Sequence, residues 1–564
     1  MTYQDTYKQW LNSVDDDKLR EELEAIKDDD NEIKERFLND LPFGTAGLRG
    51  IIGAGIARMN TYTVARATQG LSDYLKSTGN AENGMVIAYD SRLYSREFAE
   101  ETACVFAGNG IKTRLFKQLT SVPELSFAVR YFKADGGIVI TASHNPMAYN
   151  GYKVYASYGG QLGPEESLAV TACIQKVDAF SGVKKVSLEE GINSGLVEEI
   201  GEEIDARYYE KLLTLCDKDE AKNLKVVYTP LHGSGLRSVM NVLPAAGITN
   251  LMVVEQQREP DGRFPTIKSP NPEDAGAMKM AIELAKKIDA DLAFGTDPDA
   301  DRMGAAVRDK DGSYRMLTGN QIACILIEYL LEKRKQNGCL KPTDYIIKSF
   351  VSTTMADAIA KHYGIVCHTV LTGFRFISEI ITQNENTGAE FIFGFEESYG
   401  FLAGTFTRDK DGVLGALLLC KAAQYYQTQG KSLLEVLSSL YERYGFYAEG
   451  IKNMVFEGLD GMEKMKAIMT SLRDKPISEI GGIKVLITED YQSGLRTDAA
   501  GNTEALTLPK SNALRFLLED GAWACIRPSG TEPKIKAYFA ACAQKKEEAQ
   551  SKLENIAAYF DGLI

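Results

Sequence analysis

Cysteine is thinly spread in this chain: nine residues in 564, none of them in a C-x-x-C pair. That pattern has neither metal-site nor disulfide-scaffold spacing, and reduced thiols in a cytoplasmic protein are the expectation. Histidine is scarcer still, at four, with no H-E-x-x-H cluster, so a histidine-built zinc site is not expected. No apolar run approaches the ~20 residues a membrane span requires. The most apolar window, around Val413 to Cys420, is far too short. Positive charge is also in deficit: 64 Lys and Arg against 78 Asp and Glu leave a formal net charge of -14. Neither nucleic acid nor an anionic membrane is therefore the expected partner, whereas a locally basic site for a small anion stays open. Met1-Thr2-Tyr3-Gln4-Asp5 has no basic n-region and no apolar h-region, so no secretory leader is expected.

What remains is an ordinary globular composition, 44% apolar and 25% charged, on a chain long enough for roughly three to four domains. Residues 1 to about 40 read as acidic amphipathic helix, with Trp10, Leu11, Leu19, Leu23 and Ile26 at helical spacing. From Thr61 onward, helices and short β-branched strands alternate, the signature of α/β domains with mostly parallel or mixed sheets. A polar connection at 179–203 separates the first alternating stretch from a second, and a third begins with a helix near 319–335. A long helical region is expected over 413–443, and after about residue 447 the pattern turns to α+β. Arg-Asp-Lys-Asp-Gly occurs twice, at 308–312 as a hairpin turn and at 408–412 before that helical region.

Four loops carry candidate chemistry. Gly137-Ile138-Val139-Ile140 reads as a buried strand that breaks into Thr141-Ala142-Ser143-His144-Asn145-Pro146, presenting Ser143 on a proline-stiffened loop as a nucleophile or phosphate carrier. A plain Ser/Asn/Pro turn fits that stretch equally well. Asn150-Gly151-Tyr152-Lys153 reads as a turn followed by a lysine near enough to serve it. Asp297-Pro298-Asp299-Ala300-Asp301-Arg302 sets three carboxylates at alternate positions, which repel one another unless a hard cation such as Mg²⁺ joins them. An EF-hand is excluded there, because Arg302 and Arg308 occupy its glycine and glutamate positions. Gly394-Phe395-Glu396-Glu397-Ser398 offers acceptors and a hydroxyl suited to sugar hydroxyls. Arg527-Pro528-Ser529-Gly530-Thr531, with Lys534 and Lys536 close behind, reads as a phosphate nest. The glycine-rich Phe43 to Gly50 segment adds Arg49 and is not a Walker loop.

In that order these motifs occur in the α-D-phosphohexomutases, and from about residue 40 onward the chain resembles that superfamily, in its branch of phosphoglucomutases, phosphopentomutases and glucose-1,6-bisphosphate synthase. The resemblance implies four domains around a central cleft, three related α/β domains with mixed sheets plus a C-terminal α+β domain. Their expected extents are 1–204 (helical arm and phosphoserine domain), 205–315 (metal), 316–446 (sugar) and 447–564 (distal phosphate). It implies an isomerase that interconverts glucose 1- and 6-phosphate through a phosphoserine and a glucose 1,6-bisphosphate intermediate. Ser143 would carry the phosphate and, with Asp297, Asp299 and Asp301, hold Mg²⁺. Lys153 is the implied general acid/base and Arg49 a group beside the reacting phosphate; His144 belongs to the catalytic loop as the serine's neighbour, not its base. Thr372, Gly373, Glu396 and Ser398 would grip the sugar, and Arg527, Ser529, Gly530, Thr531 and Lys536 the distal phosphate. Arg375 stands where related phosphoglucomutases have lysine, so it is assigned to binding alone. Phosphomannomutase or phosphopentomutase activity, a non-catalytic sugar-phosphate binder and a phosphatase are the alternatives. The expected partners are small sugar phosphates, with the protein a monomer or homodimer.

Overall fold

Apolar β-branched strands followed by capped helices build the first half of the chain. A computed structural model describes residues 2–44, 47–217, 224–456, 461–528 and 534–562. The first sheet comprises β1 (Leu48–Ile51), β2 (Met85–Tyr89), β3 (Thr113–Phe116), β4 (Gly136–Ile140), β5 (Tyr149–Ala156) and β6 (Val197–Ile200), in the order β1-β5-β4-β2-β3-β6. β4, β2, β3 and β6 run parallel, and β5 and β1 extend the sheet antiparallel. Every residue of β2 and β4 is buried, as expected of strands covered on both faces. The helix Thr61–Thr78 begins at a capping box on Asn60 and packs Val64, Leu71 and Leu75 into this core.

The second sheet repeats the plan with β7 (Val226–Thr229), β8 (Leu251–Val253), β9 (Leu292–Thr296), β10 (Met303–Arg308) and β11 (Tyr314–Leu317), in the order β11-β10-β9-β7-β8. β9, β7 and β8 are parallel, and β10 and β11 again extend the sheet antiparallel. The third alternating stretch has a parallel pair, Tyr345–Ser349 with Val366–Val370, and an antiparallel pair, Phe391–Glu396 with Gly400–Leu402. Beyond Tyr444 an antiparallel sheet takes over, beginning Phe446–Val455, Lys534–Ala543, Trp523–Pro528 and Leu514–Leu518, with the helix Lys546–Asp561 against it. Three α/β regions and an α+β region are thus present, as the motif order implied.

Contacts divide the chain into two compact units. One joins Met1–Ile322 with Ile377–Gln429; the other joins Ala323–Phe376 with Gly430–Ile564. No helix among the described residues is long and apolar enough to cross a membrane.

Four local expectations need correcting. The N-terminal arm is three helices, Tyr3–Ser13, Asp17–Ala25 and Asp30–Phe37, because Asp16 and Asp29 accept backbone N–H bonds and start new helices. The arm closes over its own core of Trp10, Leu23, Ile33 and Phe37, with the Trp10 ring 5.4 Å from Phe180. The segment 413–443 is two helices, Gly412–Thr428 and Leu433–Tyr444, parted at Gly430 (φ 72°) and restarted by the Ser432/Glu435 capping box. The polar connection at 179–203 contains β6, which pairs with β3. Asn150-Gly151 is not a turn but the middle of β5, held between β4 and β1.

Candidate active site

Each of the three α/β regions places a loop at the same point, where a buried strand reverses into an antiparallel neighbour. The loops are Thr141–Ala148 after β4, Asp297–Arg302 after β9 and Glu397–Tyr399 after Phe391–Glu396. Each holds one non-glycine residue in the left-handed region: Ser143 (φ 51°), Ala300 (φ 51°) and Tyr399 (φ 63°). That conformation costs on the order of 1 kcal/mol and persists only where the surroundings hold it.

In the first loop, the Thr141 hydroxyl lies 2.6 Å from Asp90 Oδ2 and 3.1 Å from Asp299 Oδ2, and it accepts the Ser143 N–H at 2.8 Å. Ser143 is buried, at 3% exposure, and its hydroxyl donates to Asp297 Oδ2 at 2.7 Å. His144 Nδ1 is 3.1 Å from the same hydroxyl. Burial, then the charges of Arg302 and Arg49, press the His144 ring well below the usual imidazole range, so it is a neutral neighbour. Lys153 sits opposite Val139 in the sheet and reaches Asp299 Oδ2 at 2.7 Å and Asp301 Oδ2 at 3.4 Å. Arg49, on β1, donates to Asn145 Oδ1 at 3.2 Å.

The second loop brings Asp297, Asp299 and Asp301 together, one oxygen of each within 4.8 Å of the others, all at most 1% exposed. Burial, then Asp299 and Asp301, push the Asp297 carboxyl well above its ordinary range. Burial works the same way on Asp301, but Lys410, Lys153 and Arg302 outweigh it and hold that carboxyl well below. Asp299 Oδ1 and Asp301 Oδ1 are buried with no hydrogen-bond partner. Two orphaned carboxylate oxygens beside a serine hydroxyl fit a hard divalent cation completed by phosphate oxygen and water. These three aspartates could hold such an ion.

The third strand ends at Glu396, buried at 8% exposure, and its loop carries Ser398, which is half-buried. Thr372, Gly373 (φ 115°) and Arg375 lie in the other unit, where a strand gives way to the helix Phe374–Asn384 and the Arg375 guanidinium covers the Phe376 ring at 4.6 Å. Arg527 is the next-to-last residue of the strand Trp523–Pro528 in that same unit, directly opposite Lys536. Ser529, Gly530 and Thr531 lie outside the described residues.

Comparison with known proteins decides the family. Residues 40–180, 206–312 and 318–444 match phosphoglucomutase/phosphomannomutase alpha/beta/alpha domains I, II and III, and residues 473–558 match the family's C-terminal domain. The chain belongs to the phosphoglucomutase/phosphomannomutase family. It is 35% identical to a phosphoglucomutase of Staphylococcus saprophyticus over 98% of this chain and 99% of that one. To a phosphoglucomutase of Staphylococcus epidermidis it is 37% identical over 96% of this chain and 98% of that one. The crystal structure of parafusin, an exocytosis-sensitive phosphoprotein of Paramecium, superposes with a TM-score of 0.68 at 17% identity, covering 92% of this chain and 94% of that one. At that identity the likeness speaks for the fold alone.

Family motifs drew attention to the loops but not to what braces them. Lys410, from the second Arg-Asp-Lys-Asp-Gly, pairs with Asp301 at 2.8 Å and Asp409 at 3.2 Å. Arg302 donates its backbone N–H to Asp297 Oδ1 at 2.9 Å and its guanidinium to Glu273 at 2.7 Å. Arg92 and Asp90 lie under the serine loop. The repeated pentapeptide was the only sequence signal for Lys410, and nothing local pointed to Asp90 or Arg92.

Proposed function

We propose that this family member is a Mg²⁺-dependent phosphoglucomutase interconverting glucose 1-phosphate and glucose 6-phosphate. The carrying observation is the Ser143 hydroxyl, buried and 2.7 Å from Asp297 within the three-aspartate cluster. A serine so placed is suited to exchanging phosphate rather than to hydrolysis, since its side chain is buried and its neighbours are carboxylates and cations. As phosphoserine it gives its phosphoryl group to the free hydroxyl of a hexose monophosphate. The serine O–P bond breaks, a sugar O–P bond forms, and Lys153 relays the proton, its ammonium giving one to the released serine oxygen and taking up the one that leaves the sugar hydroxyl. The resulting 1,6-bisphosphate turns over and returns its other phosphate to Ser143: that sugar O–P bond breaks, the serine O–P bond re-forms, and Lys153 relays the serine proton to the released sugar oxygen. Asp297, Asp299 and Asp301 would hold Mg²⁺, which when bound would supply positive charge against the phosphoryl oxygens.

Arg49 steadies the reacting phosphate, and Arg375 binds without titrating. Thr372, Gly373, Glu396 and Ser398 grip the sugar, while Arg527, Ser529, Gly530, Thr531 and Lys536 take the distal phosphate of either end. His144 orients the serine hydroxyl. We place the domain boundaries near 204, 315 and 446, and the enzyme in the cytoplasm as a monomer or homodimer with glucose 1,6-bisphosphate as its activator. A second reading, phosphomannomutase or phosphopentomutase activity, stays open because loop acceptors such as Glu396 do not by themselves select a hydroxyl's stereochemistry.

Intact mass before and after incubation with glucose 1,6-bisphosphate, with a coupled assay on glucose 1-phosphate, tests this. Ser143→Ala is expected to lose the phosphate adduct and all turnover, and chelation of the metal to stop the wild type. Retained turnover in Ser143→Ala would refute the assignment. Faster rates on mannose 1-phosphate or ribose 1-phosphate would move it to the second reading.

A further inference from the structure

The three left-handed residues share a constraint: the carbonyl of each is held from outside its loop. The Ala300 carbonyl accepts the Gly412 N–H at 2.9 Å, and the Tyr399 carbonyl accepts the Met303 N–H at 3.2 Å. Both clamps are backbone amides. In the serine loop the clamp is a side chain, Arg92. Its Nε donates to the Ser143 carbonyl at 3.2 Å and its Nη2 to the Ser143 and Asn145 carbonyls. Its Nη1 donates to the Pro146 and Tyr149 carbonyls, each at 3.0 Å. Four carbonyls, three in the loop and that of Tyr149 at the start of β5, thus converge on one guanidinium.

Arg92 is itself immobilised. It is 4% exposed, its Nε lies 3.5 Å from Asp90 Oδ2, and the Phe264 ring covers its plane at 5.1 Å. Asp90 Oδ1 in turn accepts the Arg92 backbone N–H at 2.9 Å and the Ser95 hydroxyl at 2.7 Å. These loop carbonyls take up its donors, so the residue acts through the loop.

We propose that Arg92 is the positioning residue of the phosphate-carrying loop, holding Ser143 in its left-handed conformation so that Oγ faces the aspartate cluster. Pinning the Ser143 carbonyl fixes the peptide plane after the serine, and the Thr141 hydroxyl fixes the N–H before it. The serine must present the same geometry whether it carries phosphate or has just given it away, because each turnover loads and unloads it. A guanidinium is required because only a planar fork with five donors reaches carbonyls on several sides; an ammonium has three donors at one point.

The inference rests on the mutase reading, and the test separates the two. Wild-type protein is first assayed with glucose 1-phosphate; absence of turnover there would sink the mutase reading and leave Arg92 to be judged by phosphoserine chemistry alone. Arg92→Lys keeps the charge and most of the volume. It is expected to lower kcat by about 10- to 100-fold, the scale set by misplacing a reacting group by ~1 Å, with KM for glucose 1-phosphate within about twofold of wild type, since only the loop has moved. The ³¹P resonance of its phosphoserine is expected to shift or broaden, and spontaneous loss of phosphate to water to accelerate. Phe264→Leu, which loosens the guanidinium without removing it, is expected to show the same changes more weakly and decides the matter if Arg92→Lys does not fold. In Arg92→Gly, millimolar methylguanidinium is expected to recover part of kcat without changing KM. A folded Arg92→Lys with wild-type kcat and phosphoserine lifetime overturns the inference, as does a variant whose loss falls on KM alone.

Discussion

Arg-Asp-Lys-Asp-Gly shows how little a short sequence determines without its surroundings. At 308–312 it turns the β10–β11 hairpin, and Arg308, Asp309, Lys310 and Asp311 are exposed. At 408–412 the same five residues are buried: Arg408 and Asp411 at 0% exposure, Asp409 at 1% and Lys410 at 7%. Lys410 balances Asp301 there, and Asp411 caps the helix Gly412–Thr428 through the Leu414 N–H at 2.8 Å. The two lysines therefore predict opposite outcomes. Lys310→Ala should change stability by no more than about 0.5 kcal/mol, as surface substitutions do, and leave turnover intact. Lys410→Ala removes the nearest cation from Asp301, leaving Lys153 at 3.4 Å and Arg302 at 3.8 Å, and should cost less than the roughly 3–5 kcal/mol of a fully stranded buried charge but well above the surface value. Its kcat should fall at least about tenfold through loss of fixed positive charge at the cluster. Thermal melts and a coupled assay on both variants check the contrast; equal behaviour would contradict the burial argument.

Among the elements, the helix Val122–Phe132 deserves a pH experiment. Its first turn carries Glu124, 1% exposed, with both carboxylate oxygens lacking a hydrogen-bond partner. Burial, then the nearby Asp205, push the Glu124 carboxyl well above its ordinary range; Arg237, which pairs with Asp205 at 3.1 Å, opposes this, and Asp411 adds to it. A carboxyl whose folded pKa lies above its unfolded value favours the folded state while protonated, and that stability is lost as pH rises through the folded pKa. Glu124→Gln is neutral throughout and nearly isosteric, with an amide in place of the carboxyl. It should raise Tm at pH 8 by roughly 2 °C, corresponding to about 1–3 kcal/mol for an unsatisfied buried group, and flatten the decline in Tm as pH rises above the ordinary carboxylate range. A variant less stable than wild type at pH 8 would show that the carboxylate is compensated.

At the scale of the whole molecule, the first unit is discontinuous in sequence, because the chain leaves it at Ile322 and returns at Ile377. The returning segment satisfies polar groups laid down much earlier. Arg408 N–H donates to the Ser126 hydroxyl at 2.8 Å, and Arg130 pairs with Glu385 at 2.7 Å. Tyr155 donates to Asp409 and Tyr208 to Asp411, each at 2.7 Å. A fragment ending at residue 322 removes the Asp409 and Asp411 acceptors of the buried Tyr155 and Tyr208 hydroxyls and the Glu385 partner of Arg130. It is expected to be insoluble or to melt without a cooperative transition, despite containing the serine and aspartate loops entire. A fragment with a sharp thermal transition would show that the segment 377–429 is dispensable to the unit.

Local signals in the sequence were enough for the two loops whose chemistry is carried by consecutive residues. A β-branched run ending in Thr-Ala-Ser-His-Asn-Pro announces a strand and its loop, and three alternating aspartates announce a charge that needs a cation. The hairpin at 308–312 and the helix Thr61–Thr78 were legible for the same reason, since their turn and capping residues act on near neighbours. Only the tertiary structure decided that Asn150-Gly151 lies inside β5, because two flanking strands satisfy its backbone and outweigh the turn preference of those residues. That placement puts Lys153 within reach of Asp299 and Asp301, some 146 and 148 positions away. It likewise decided that Lys410 serves the aspartates while Lys310 faces solvent, and that Arg92 clasps the serine loop. Hydrogen bonds and ion pairs between distant residues depend on which strands lie side by side, and no stretch of a few residues encodes that.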